Sequence, residues 1–155
     1  MGLKIHRLGR AEYRISLWSG EGGLHVDGHW HIGGRRIIYA AQSLSLAQLE
    51  VLAHIPDRRQ LPPLVHGTAQ IPEAVVIEVV EVAQLPAHWR RVAPYAPDTQ
   101  RIGMDWLQRQ SSAVLKVPSA ISDEEWNFLL NPAHPDFGKV VTAVPQDFSM
   151  DSRLP

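Results

Sequence analysis

The chain has 155 residues, 45% apolar and 20% charged, with 15 lysines and arginines against 16 acidic residues and no cysteine. A chain of this length buries roughly 70% of its unfolded surface, so one globular domain over 1–155 is expected and a disordered chain is excluded. A net charge of −1 gives no bulk attraction to nucleic acid or anionic membranes, and the lack of cysteine excludes disulfides, thiol catalysis and cysteine-based zinc sites.

The opening residues Met1 to His6 carry no apolar signal region, and no run approaches the ~18 apolar residues of a membrane span; a cytoplasmic location is expected. Tyr13 to Leu17 alternates as a short strand, and a Gly-rich loop runs from Ser19 to Gly34. Arg36 to Ala41 reads as a strand. Ser45 with Gln48 forms a capping-box pattern for a helix ending near Ile55, where Pro56 stops it. Residues 56–73, with Pro56, Pro62, Pro63 and Pro72, read as a surface connection before a Val-rich strand from Ala74 to Val82.

A second Pro-containing connection spans Gln84 to Asp98. Thr99 then caps a short helix with Ile102, Trp106 and Leu107 on one face, followed by a buried strand from Ser111 to Val117. Ser122 and Glu125 repeat the capping-box pattern for a helix through Leu130, and a strand is expected at Lys139 to Val144. Elements interleave without regular βαβ spacing or a G-x-G-x-x-G turn, which supports a mixed α/β (α+β) class rather than a doubly wound dinucleotide fold.

The residues that suggest chemistry are few. On the first helix Leu46, Leu49 and Ala53 form a stripe, and Glu50 falls within it. An inward carboxylate needs a cation, a donor network or a polar cleft; a structural ion pair with an arginine is the plainer reading. His29 and His31 are two apart, a spacing that on a strand puts two imidazoles on one side, yet no third ligand at a recognised metal spacing accompanies them. Ser119 follows a Pro at a strand end but lacks a G-x-S-x-G elbow, so it is not read as a hydrolase nucleophile. The five tryptophans are scattered and read as core or rim.

Two longer stretches resemble a known family. The first comprises Tyr13-Arg14-Ile15, Ser19-Gly20-Glu21-Gly22 and Tyr39 to Glu50. The second comprises Val117-Pro118-Ser119-Ala120, Asn127 to Phe137 and Asp151 to Leu154. Together they are similar to RES domains over nearly the whole chain. The resemblance implies an ADP-ribosyltransferase-like fold, with a central mixed or antiparallel sheet flanked by short helices. It also implies a toxin of a toxin–antitoxin pair that cleaves the nicotinamide–ribose bond of NAD by hydrolysis or phosphorolysis. NAD is then a substrate, with inorganic phosphate a candidate co-substrate, and no cofactor or metal is called for.

Mapped by the resemblance, Arg14, Glu50 and Ser119 are the catalytic set. Tyr39, Arg14, His29 and Asn131 bind substrate. The short segment between Arg14 and Ser19 leaves Arg10 and Arg7 as alternative carriers of the guanidinium. The pattern usually reads Gly-Gly-Arg-Trp-Asn where this chain has Asp27-Gly28-His29-Trp30-His31, replacing an arginine and an asparagine by histidines. The implied partner is an Xre-type helix-turn-helix antitoxin, with no direct nucleic-acid or membrane contact and room for a homodimer. Two rival readings stand beside this one: a non-catalytic antitoxin-binding member, with the histidines as marks of decay, and ADP-ribosyl transfer to a macromolecule.

Overall fold

The computed structural model describes residues 2–155. Its strands are β1 (Leu3–Arg10), β2 (Ile38–Ala41), β3 (Leu64–Ile71), β4 (Ile77–Val79), β5 (Val114–Pro118), β6 (Trp126–Leu130), β7 (Val141–Thr142) and β8 (Gln146–Phe148), with helices α1 (Leu44–His54) and α2 (Pro97–Arg109). One sheet takes them in the order β4-β5-β6-β2-β1-β3-β7, and β8 also pairs with β3. Only β4 and β5 run parallel; the other pairings are antiparallel. The expected mixed α+β architecture is the one observed.

Alternation of side chains divides the sheet between two apolar layers. Ile5, Ile38, Ala40, Ala69, Val114, Phe128 and Leu130 fill one. Trp30, Trp89, Leu115, Val117 and Leu129, together with Trp106 and Leu107 of α2, fill the other. Helix α1 lies on Ala41 and Leu8 through Leu46 and Ala47. Three tryptophans are therefore core, and Trp18 and Trp126 pack partly buried against the first layer. Among the described residues no helix is long and apolar enough to cross a membrane.

Several expected elements differ. Tyr13 to Leu17 is not a strand but lies in a 3-10 helix, Ala11–Ser16, and its end; Tyr13 and Ile15 are exposed and only Leu17 is buried, so no second sheet face exists for the alternation to serve. The true first strand is β1, which pairs β3 from Leu3 opposite Ile71 to Arg10 opposite Leu64. The expected connection over 56–73 thus contains β3: its prolines bracket the strand, where no ladder donor is required. The Val-rich strand shrinks to Ile77–Val79, since Val75 sits in a turn and Val82 opens a 3-10 helix.

Helix α1 is capped by Ser43, whose Oγ accepts from Leu46 N at 3.1 Å, not by Ser45. Its buried stripe also turns toward the Ala47 side, leaving Leu49 and Ala53 exposed while Glu50 stays half-buried. Helix α2 begins at Pro97, and the Thr99 hydroxyl donates instead to the carbonyls of Ala96 (3.0 Å) and His29 (2.8 Å). The helix expected from Ser122 to Leu130 is a turn followed by β6: Ser122 Oγ does bond the Glu125 carboxylate, but the bond closes a β5–β6 connection. Strand β5 starts only at Val114, because Ser111 and Ser112 turn their hydroxyls onto Glu78.

Candidate functional site

The register of the sheet assembles the site. Tyr39 lies opposite Leu129 and Ala41 opposite Asn127; Asn127 in turn lies opposite Val117. Residues paired across strands share a face, so Tyr39 and Asn127 emerge on one side. Ser119 continues that side two residues beyond Val117, and α1, leaving β2 after two residues, carries Glu50 over it.

Ser119 is 2% exposed. Its Oγ accepts the backbone N–H groups of Ile121 and Ser122, both at 3.1 Å, so its own proton is directed to Glu50 Oε1 at 3.5 Å. Asn127, whose Nδ2 donates to the Ala40 carbonyl at 3.4 Å, faces the same carboxyl, and burial pushes that carboxyl above its ordinary range while His54, Asn127 and Ser119 pull it back. Among the described residues no arginine pairs with this inward glutamate; a polar donor network receives it instead.

His54, one turn along α1, donates from Nδ1 to the Glu50 carbonyl at 2.8 Å. Its Nε2 faces the Tyr95 hydroxyl at 3.4 Å. Tyr95 comes from the Pro-rich connection before α2 and sets its ring edge-on to His29, with centroids 5.6 Å apart.

The Tyr39 phenol points away from solvent. Its oxygen accepts from Trp30 N at 3.2 Å and lies 2.7 Å from His31 Nδ1, and burial raises its pKa. Below it β1 and β2 diverge after their single paired position, His6 opposite Ala41. Arg7 fills the gap, donating from Nη1 to the Tyr39 carbonyl at 2.7 Å and from Nε to the Leu17 carbonyl at 2.8 Å. Burial pushes this guanidinium down to about 10, still cationic at neutral pH. Among the described residues no carboxylate pairs with it.

Of the expected site residues, Glu50 and Ser119 are in contact and Tyr39 emerges on the same side of the sheet, with His29 at the rim through Tyr95. His29 is spent largely on its own chain, its Nε2 donating to the Trp89 carbonyl at 2.7 Å. Arg14 is not brought to the cluster: it is exposed and paired with Asp147 at 2.5 Å. Asn131 lies four residues beyond Asn127 on β6, a separation of about 13 Å at strand rise. There it shapes a turn, its Oδ1 accepting from Ala133 N at 3.0 Å. Arg7, Asn127, His54 and Tyr95 are the members that the motifs did not single out as a set. Arg7 was one of three candidate arginines, and Asn127 was hidden by its assignment to a helix.

His29 and His31 are not on a common strand, and each ring bonds elsewhere in the protein. No group of three or more histidine or acidic side chains that could hold a metal ion occurs among the described residues.

Residues 4–151 match the RES domain model. The chain is 40% identical over 151 residues to "Toxin Res" of Photorhabdus laumondii, covering 97% of this chain and 96% of that protein. It is 35% identical over 153 residues to "Toxin Res" of Yersinia enterocolitica, covering 98% and 99%. A "Prs ADP-ribosylating toxin" of Sphingobium sp. is 38% identical over 131 residues, covering 80% and 78%. In fold, the chain resembles one in the crystal structure of the M. tuberculosis MbcT–MbcA toxin–antitoxin complex, with TM-score 0.76, 16% identity and coverage of 96% and 85%. The chain belongs to the RES domain family.

Proposed function

We propose that this protein is the toxin of a toxin–antitoxin pair and that it cleaves the nicotinamide–ribose bond of NAD. The observation that carries the proposal is the meeting of a half-buried carboxylate, Glu50, with Ser119 and Asn127 on the side of the sheet from which Tyr39 emerges, together with the Arg7 guanidinium held on the Tyr39 carbonyl, which among the described residues has no carboxylate partner. A dinucleotide brings what each lacks: an anion for Arg7 and developing positive charge for Glu50.

Nicotinamide departs as a neutral amine from a cationic pyridinium, so the reaction needs no general acid. The barrier is dominated by positive charge developing on the ribose, and a preorganised carboxylate in a water-poor site stabilises it directly. Glu50 takes that role while Ser119 and Asn127 fix its orientation. Ser119 is anchored by two backbone donors, so it orients oxygen atoms rather than attacking.

Arg7 takes the place that the resemblance gave to an arginine, because its guanidinium, fixed on the Leu17 and Tyr39 carbonyls through Nε and Nη1, keeps its Nη2 donors for a pyrophosphate oxygen. The Tyr39 ring, its hydroxyl turned inward, offers a face to the nicotinamide. The acceptor is water or inorganic phosphate, and none of these residue roles calls for a metal.

An antitoxin, with the Xre helix-turn-helix type as the expectation, is offered apolar area by exposed side chains such as Leu49, next to Glu50 in the chain, and Ile121, two residues past Ser119. ADP-ribosyl transfer to a macromolecule shares the bond-breaking step and is favoured by the name of the Sphingobium relative.

The test is to incubate the purified protein with NAD, with and without phosphate, and to follow nicotinamide and the ribosyl product. Free ADP-ribose or its phosphate ester supports the proposal. Label transferred to protein supports the alternative, and no nicotinamide at any enzyme concentration rejects both.

A further inference from the structure

His31 stands in the segment where the chain departs from the usual pattern, and the structure gives it a task. It is 2% exposed, so no bulk water competes for its nitrogens. Nε2 lies 3.2 Å from the Gly23 carbonyl. A carbonyl only accepts, hence Nε2 carries a proton; burial disfavours the charged ring, and in the neutral ring Nδ1 holds the lone pair. The Tyr39 hydroxyl, 2.7 Å from Nδ1, must then donate, while its oxygen accepts from Trp30 N at 3.2 Å. The chain of bonds then runs in one direction, from Trp30 N–H through the phenol and the imidazole to Gly23, with the Val26 carbonyl a further backbone acceptor at the ring.

The surrounding backbone is built to admit this arrangement. A Cβ on Gly28 would sit 2.3 Å from the Tyr39 oxygen and 2.8 Å from His31 Nδ1, so only glycine leaves room for the pair. Helix α2 clamps the loop from outside. Gln100 Nε2 donates to the carbonyls of Gly28 (3.2 Å) and His31 (3.3 Å), Thr99 donates to that of His29 (2.8 Å), and Gly103 lets the helix backbone meet the Trp30 carbonyl, which any Cβ would overlap.

We infer that His31 is a positioning residue for Tyr39, holding the phenol proton inward so that the aromatic face, and not the hydroxyl, is what the substrate meets. The histidine is then an integrated part of the site and not a mark of decay. This rests on the proposed NAD-cleaving function.

The two nitrogens can be tested separately, because asparagine places an acceptor where Nδ1 sits and glutamine places its amide where Nε2 sits. Nicotinamide release is measured for wild type, His31→Asn, His31→Gln, His31→Ala, Tyr39→Phe and the His31→Ala/Tyr39→Phe double variant, with thermal melts to confirm folding. His31→Asn is expected within about threefold of wild-type kcat/KM, since it keeps the acceptor for Tyr39. His31→Gln and His31→Ala should each lose about tenfold or more, and the double variant should be no worse than the poorer single one, since both changes break one interaction. Equal rates in Asn and Gln variants, or effects of His31→Ala and Tyr39→Phe that multiply in the double variant, overturn the inference while leaving the NAD reading intact. No release by the wild-type protein overturns both.

Discussion

Ser119 directs its hydroxyl proton to Glu50 across 3.5 Å because two backbone N–H groups already occupy its oxygen. The carboxylate is thus met by a donor whose orientation is fixed by the chain itself. It remains under-compensated, since burial is the largest influence on its ionisation, and that imbalance has measurable consequences.

Glu50→Gln should trade activity for stability. Removing the charge that faces the ribosyl cation is expected to lower nicotinamide release by about 10²–10³-fold, the usual loss when one preorganised electrostatic group is deleted. Because burial penalises the ionised form, the amide should melt higher at neutral pH, with roughly 2–4 °C for each kcal/mol gained in a domain of this size. A thermal melt alongside the activity assay checks both.

The pH dependence follows from the same group. The folded pKa of Glu50 lies above its ordinary value, so the unfolded chain releases this proton first as pH rises. The contribution of Glu50 to stability is therefore full below the ordinary glutamate range and is lost as pH rises through the folded value. Activity runs the other way, since the ionised form is the working one: kcat/KM should rise with pH with a midpoint above the ordinary glutamate range. In Glu50→Gln the stability change with pH over that window should be smaller.

Arg7 and Arg14 should separate cleanly. Arg7→Lys keeps a charge but loses the planar fork, and a charge-assisted bond of about 1.5–3 kcal/mol corresponds to roughly a 10- to 100-fold rise in KM for NAD. Arg14→Ala breaks an exposed pair with Asp147, worth about 0–1 kcal/mol of stability, and should leave KM unchanged. Steady-state kinetics on the two variants decide which arginine serves the substrate.

The asparagines divide in the same way. Asn127→Ala should reduce nicotinamide release with little change in melting temperature, since its side chain serves the Glu50 carboxyl. Asn131→Ala should do the reverse: it removes the acceptor for Ala133 N in a part-buried turn, at a cost of about 0.5–1.5 kcal/mol.

What was legible in the sequence were features with a local cause. Glu50 stood out because a charge inside an apolar helical stripe must be explained, whereas Ser119, which by itself reads equally as strand-end turn chemistry, entered the set only through the family resemblance. What stayed hidden depends on distant partners. In β1 only Ile5 is fully buried, so Arg7 shows no alternation until β3 is laid beside it. In β6 the adjacent Phe128, Leu129 and Leu130 are all buried because both faces of the sheet are covered. Such a strand has no period of two and reads as a helix once a capping-box pair precedes it. The Ser122–Glu125 bond is real, but the same chemistry closes a turn as readily as it starts a helix. The short α1 stripe was read a step off for a similar reason, because the first turns alone touch the sheet.

The most direct test of the account is nicotinamide release from NAD by the wild-type protein and by Glu50→Gln, assayed side by side at equal concentration with both shown to be folded. The account predicts turnover by the first and loss of at least about 10²-fold in the second. Equal rates in the two proteins would contradict it.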